Sequence, residues 1–229
     1  MAVFGSWKSP YQSREDWNAL SGEGVKYEAV DQRDGSTVFF DLCGRQPVAW
    51  EYSGDGDVAL PEGGGVVYQM QESSSAVQED SYCTLALSKD DARFSRRYQR
   101  QIRSAYLNLS SPGIELAETA KQVDRSISLF EDYPDRRDNL PMTTFRGRIR
   151  ALADAGLLLV YTLCSEGGTL GSSLVLRSDT QVNLRYYSAS RDKGAGHLLH
   201  FLSIEDMFIN QGVEVVDLSG ISPGSQDGK

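Results

Sequence analysis

Histidine and cysteine are scarce in this chain: 229 residues hold two histidines and three cysteines. Cys43, Cys83 and Cys164 form no C-x-x-C pair, and an odd count without metal-ligand spacing fits a reducing compartment rather than a disulfide framework. His197 and His200 lie three apart, with no cysteine or further histidine at zinc-type spacing, so no metal is expected. Long apolar runs are missing too. No stretch approaches the ~20 residues that cross a bilayer, and the first eight residues lack the apolar core of a secretory signal. A cytoplasmic protein with no membrane segment and no membrane partner is expected. Positive charge is also in short supply. Against 32 Asp and Glu stand 23 Lys and Arg, leaving a net charge of −9 and a pI near 4.8. That balance argues against a protein that binds duplex nucleic acid by neutralising its phosphates.

Core material is plentiful. Hydrophobic residues make up 40% of the chain, with eleven Tyr, eight Phe and three Trp. The length suits one domain, or two small ones sharing a core. From residue 25 to 87, short β-prone runs alternate with turn residues: 26–30, 37–42, 47–52, 66–70 and 82–87. Asp34-Gly35 between the first two is a hairpin signal. This section reads as a largely antiparallel sheet.

A helical section follows. Ser88 with Asp91 three residues on has the form of a capping box, and Phe94, Tyr98 and Ile102 repeat at spacing four. The same helix carries Arg93, Arg96, Arg97, Arg100 and Arg103. This is either a solvated face paired with nearby carboxylates or a docking face for an anionic cofactor or an RNA end. A second helix is expected over about 115–131 from Val123, Ile127 and Phe130. A third is expected over about 143–155, with Phe145, Ile149 and Leu152 inward and Gly156 as its C-cap. Arg146, Arg148 and Arg150 on that third helix read as surface charges.

Next come strands at 157–164, 171–176 and 181–189, the first apolar enough to be buried on both faces. A helix over 197–211 follows, capped by Gly212, and then a last strand at 213–218. Between the third of these strands and its helix lies Arg191-Asp192-Lys193-Gly194-Ala195-Gly196. Glycines remove Cβ obstruction there, so amides from Lys193 to Gly196 can point at a diphosphate at the helix N-terminus. Arg191 and Lys193 add charge-assisted contacts, and His197 stands in the first turn beside them.

The hexamer has the form Q/R-x-x-G-x-G/A, and with a strand before it and a helix after it this region resembles the GNAT superfamily of N-acyltransferases. In that superfamily the loop holds the pyrophosphate of acyl-CoA. A further likeness lies in Tyr186-x-x-Ala189-Ser190, Leu198-Leu199-His200-Phe201, Ile204, Gly212 and Val216-Asp217-Leu218-Ser219-Gly220-Ile221. These are similar to the Fem-type branch, which includes peptidoglycan-bridge aminoacyl transferases.

The resemblance implies an α+β fold: a GNAT-like, mostly antiparallel mixed sheet flanked by helices, with an N-terminal antiparallel section. The expected division is residues 1–87 as that β-rich section, packed on or completing the same domain, 88–222 as the acyltransferase region, and 223–229 as a tail. The expected function is transfer of an acyl group, acetyl above all, from acyl-CoA to an amine of a small molecule or other acceptor. The alternatives are a Fem-like aminoacyl transfer from aminoacyl-tRNA, or a non-catalytic binding protein that kept the fold. The cofactor-binding set is Arg191, Lys193, Gly194, Ala195, Gly196 and His197; the catalytic candidates are Asp217, Tyr187 and Ser219. Asp217, within an apolar strand, is a base candidate if burial raises its pKa; otherwise it caps a turn or pairs with an arginine. A GNAT domain continues for two strands beyond the fifth, whereas this sequence stops within about ten residues. Strands of the N-terminal section, or a second copy in a homodimer, are expected to fill that place, or the domain is reduced.

Overall fold

The computed structural model describes residues 26–42, 47–52, 57–69, 83–89, 94–133, 140–178, 180–190 and 194–221. They build two sheets and four helices. β1 (Tyr27–Asp31), β2 (Thr37–Asp41), β3 (Val48–Tyr52) and β4 (Val66–Gln69) form a sheet in sequence order. The β1–β2 hairpin turns at Asp34-Gly35, where the Asp34 carboxylate accepts from the Ser36 amide and hydroxyl. β3 and β4 run parallel, so the antiparallel expectation holds only for the first three strands.

The larger sheet has six strands in the order β5-β10-β9-β8-β7-β6. They are β5 (Cys83–Ser88), β6 (Gly113–Leu116), β7 (Leu158–Ser165), β8 (Gly168–Ser178), β9 (Gln181–Ala189) and β10 (Val215–Ile221). All neighbours are antiparallel except β9 and β10. β5 comes from the N-terminal section and lies beside β10, the position where further strands were expected.

Alternation along the strands sorts side chains to two faces. One face packs Leu158, Val160, Leu174, Leu176 and Tyr186 against α2 (Ala120–Ser128) and α3 (Met142–Asp154). Phe39 of β2 joins this cluster, so the N-terminal sheet shares its core. The other face packs Leu159, Tyr161, Val175, Leu184 and Val216 against α1 (Arg96–Asn108) and α4 (Ala195–Ile209).

Two helix expectations change. α1 starts at Arg96 rather than near Ser88, with the Ser95 hydroxyl accepting from the Tyr98 amide at 3.2 Å. Ser88 is instead the last residue of β5, held opposite Val215, and the proposed cap partner Asp91 lies outside the described residues. The helix expected over 115–131 begins only at Ala120. Residues 113–116 are drawn into the sheet as β6 against β7, and Thr119 and Gln122 form the capping box that starts α2. In both places strand pairing across the fold overrides local helix signals.

Candidate functional site

β9 and β10 run side by side for only three residues. Val215, Val216 and Asp217 pair with Gln181, Val182 and Asn183, and there the ladder stops. β9 continues to Ala189. Beyond Asp217, β10 bulges before it pairs again, with β5 alone among the described residues, at Gly220 and Ile221. β9 has its own irregularity: Leu174 faces Tyr186 while Val175 faces Leu184, leaving Arg185 as the extra residue. A bulge adds twist and re-aims the strand. Two parallel strands therefore part at the Asn183–Asp217 rung, leaving backbone groups of β9 and β10 without a shared ladder.

α4 starts where β9 ends, after residues 191–193, which lie outside the described residues together with the sequence candidates Arg191 and Lys193. Gly194 is the N-cap, in the left-handed region at φ 85°. Leu198 N–H donates to the Gly194 carbonyl as the first intrahelical bond. The amides of Ala195, Gly196 and His197 precede it, so the helix itself satisfies none of them, and the positive end of the helix dipole lies there.

Two close approaches explain why small residues occupy this turn. A Cβ on Gly194 would stand 3.1 Å from the Ala105 methyl, so α1 lies directly against the start of α4. A Cβ on Gly196 would overlap the Tyr187 hydroxyl. Tyr187 lies flat on His200, ring centroids 4.2 Å apart and planes 13° from parallel. Burial, and secondarily the charge of His197, push the His200 pKa down to about 4. The His197 side chain is exposed, its ring edge-on to Tyr98, and its carbonyl accepts from the Tyr98 hydroxyl at 3.0 Å. Burial pushes the Tyr98 phenol up to about 12, keeping it a donor.

Asp217 is 3% exposed and accepts a hydrogen bond from Asn183 Nδ2 at 3.0 Å. The pleat sets Asp217 on the α2/α3 face, because its neighbours Val216 and Leu218 belong to the cluster on the other face. Tyr187 belongs to that other face, with α4. These two candidates are therefore not brought together. Ser219 falls in the bulged stretch of β10 between Asp217 and Gly220. Ser188, next to Tyr187 on β9, donates to the Leu129 carbonyl at 2.9 Å.

Sequence reasoning missed a buried polar group on the α2/α3 face. Arg148 was expected at the surface, but it is 1% exposed and ion-paired with Asp41 of β2. Its Nη1 also stands 3.4 Å from the Tyr186 hydroxyl. One signal was available: Asp41 follows Val38-Phe39-Phe40 in a strand, a position that buries a carboxylate and demands a cation. Arg146 and Arg150 are partly exposed and pair with Asp124, as surface charges do.

No protein-family profile and no curated protein matches the sequence. Solved structures do match. FemX aligns with 92% of this chain and 84% of its own at TM-score 0.57 and 10% identity. L-PGS from Bacillus licheniformis aligns with 98% and 83% at 0.54 and 10%. A conserved protein from Bacteroides thetaiotaomicron aligns with 93% and 83% at 0.56 and 11%. At such identities the likeness is one of fold. The chain shares the fold of FemX and L-PGS.

Proposed function

We propose that this chain is an acyltransferase that moves an acyl group from acyl-CoA to an amine. The observation that carries the reading is the parting of β9 and β10 at Asn183–Asp217, with the uncapped first turn of α4 at the far end of β9. A thioester arm fits the slot between two strands that share no ladder beyond Asn183–Asp217, and a diphosphate fits a helix N-terminus whose first-turn amides, Ala195 to His197, the helix itself does not satisfy. The residues present suit CoA: Gly194 and Gly196 keep Cβ atoms away from that turn, and Arg191 and Lys193 add cations in sequence just before it.

In the reaction the neutral amine attacks the thioester carbonyl. The oxyanion that forms takes a hydrogen bond from a strand amide at the slot. The C–S bond then breaks, the amide bond remains, and the thiolate takes up a proton from water, to which Asp217 in turn returns the proton it received. Asp217 is the carboxylate stationed where the strands part, and it is assigned the proton released by the amine. Asn183 orients it. Tyr187 acts through α4, as a positioning residue for the first turn.

A second reading is aminoacyl transfer from aminoacyl-tRNA, favoured by the shared fold with FemX. A thermal-shift series separates the two. Acetyl-CoA or a longer acyl-CoA is expected to raise the melting temperature, and Gly194→Glu is expected to abolish the rise. Stabilisation by charged tRNA alone sinks the CoA reading. No response to any acyl donor at millimolar concentration leaves a binding protein with the transferase fold.

A further inference from the structure

α1 presents a face that the acyl-transfer reading does not use. Arg96, Arg97, Arg100 and Arg103 are all exposed, and among the described residues none forms an ion pair. This is unexpected in a chain of net charge −9, where carboxylates are in excess. Arg96, Arg100, Arg103 and Leu107 follow one another at spacings of four, three and four, which places them in one stripe of the helix. At 1.5 Å per residue the stripe is about 16 Å long. Leu107, at its end, is 82% exposed, and the adjacent Tyr106 is 42% exposed. Alongside runs an open groove of about 430 Å³, with Ile102, Arg103, Tyr106 and Leu107 on the α1 side and Phe201 on the α4 side.

We propose that this stripe and groove dock the protein on an anionic phospholipid surface. The arginines meet headgroup phosphates, Leu107 and Tyr106 enter the interface, and the groove takes apolar chain. Single-stranded RNA is the competing polyanion, and the geometry disfavours it. Bases bind on successive free aromatic faces; Phe94 is stacked on Tyr98 at 5.3 Å and edge-on to Phe201 at 5.4 Å, which leaves Tyr106 as the single exposed ring of the groove. The Tyr98 hydroxyl is committed to the His197 carbonyl. An RNA strand also has nothing apolar to set against Leu107. The attachment proposed is peripheral, and no helix among the described residues is long and apolar enough to cross a membrane.

The test is cosedimentation of the full chain with vesicles of phosphatidylcholine alone or mixed equally with phosphatidylserine. Binding is expected only to the mixed vesicles. Each arginine near an anionic surface is worth about fivefold in affinity, so Arg100→Glu with Arg103→Glu is expected to weaken binding by about 25-fold or more. Leu107→Ser is expected to weaken it about tenfold at low and high salt alike, since this loss is apolar. All three positions are exposed, so thermal melts of the variants are expected to match the parent. The proposal falls if the parent stays in the supernatant with mixed vesicles, or if Leu107→Ser binds as the parent does. It falls equally if a single-stranded RNA oligonucleotide binds the same arginines and displaces the vesicles.

Discussion

His200 shows how one residue's surroundings become a property of the protein. The ring is partly buried against Tyr187, and loss of hydration holds the imidazole neutral until pH falls to about 4. In the unfolded chain the same group takes its proton near the ordinary value of 6.5. Between those two values the unfolded chain binds the extra proton, so stability falls as pH is lowered through the window. His200→Phe keeps a ring on Tyr187 and removes the titration. The urea midpoint of this variant is expected to change less than that of the parent between pH 6.5 and 4. An unchanged slope assigns the pH dependence to other groups.

Between elements, the contact that matters is the seat of α4 on β9. The chain places glycine at 196 and tyrosine at 187, nine residues apart, and folding brings the hydroxyl into the space a Cβ would need. Gly196→Ala is expected to displace either Tyr187 or the first turn, lowering the melting temperature and weakening acyl-CoA binding together. Removing only the hydroxyl relieves the overlap, because the ring carbon that bears it stands 3.5 Å from the added methyl, an ordinary contact. Gly196→Ala with Tyr187→Phe is therefore expected to recover most of both losses in calorimetry and titration. If the double variant is as weak as the single, the hydroxyl is not what requires glycine. The pair was legible only in half. The sequence pointed to Gly196 through its loop pattern and to Tyr187 as a catalytic candidate, but nothing local shows that the Tyr187 hydroxyl lies against Gly196.

For the whole molecule, Asp41 and Arg148 join the N-terminal sheet to the six-stranded one. Both are almost fully buried, on β2 and α3 respectively. Removing one member strands the other charge in the core, which costs about 3–5 kcal/mol in comparable buried pairs. Asp41→Asn and Arg148→Met are each expected to lower stability by that order in urea unfolding. Asp41→Leu with Arg148→Met is expected to recover much of it, since neither charge then remains. A single transition in both single variants is the further expectation, because Phe39 packs into the same cluster as α2 and α3. Two separate transitions would mean that the N-terminal sheet is an independent unit.

The sequence by itself determined the succession of elements from residue 143 onward. Three strands, a glycine-started helix and a final strand follow from apolar runs long enough to bury themselves and from glycines between them. It also determined the loop pattern around Gly194 and Gly196, because that pattern lies in consecutive residues. Tertiary structure alone decided what depends on partners distant in the chain. It drew Ser88 and residues 113–116 into strands, since an unpaired sheet edge gains more from ladder bonds than a short helix end does. It buried Arg148, because only the fold brings Asp41 to it. And it parted β9 from β10 at Asn183–Asp217, a matter of register and bulges between strands about thirty residues apart in the chain.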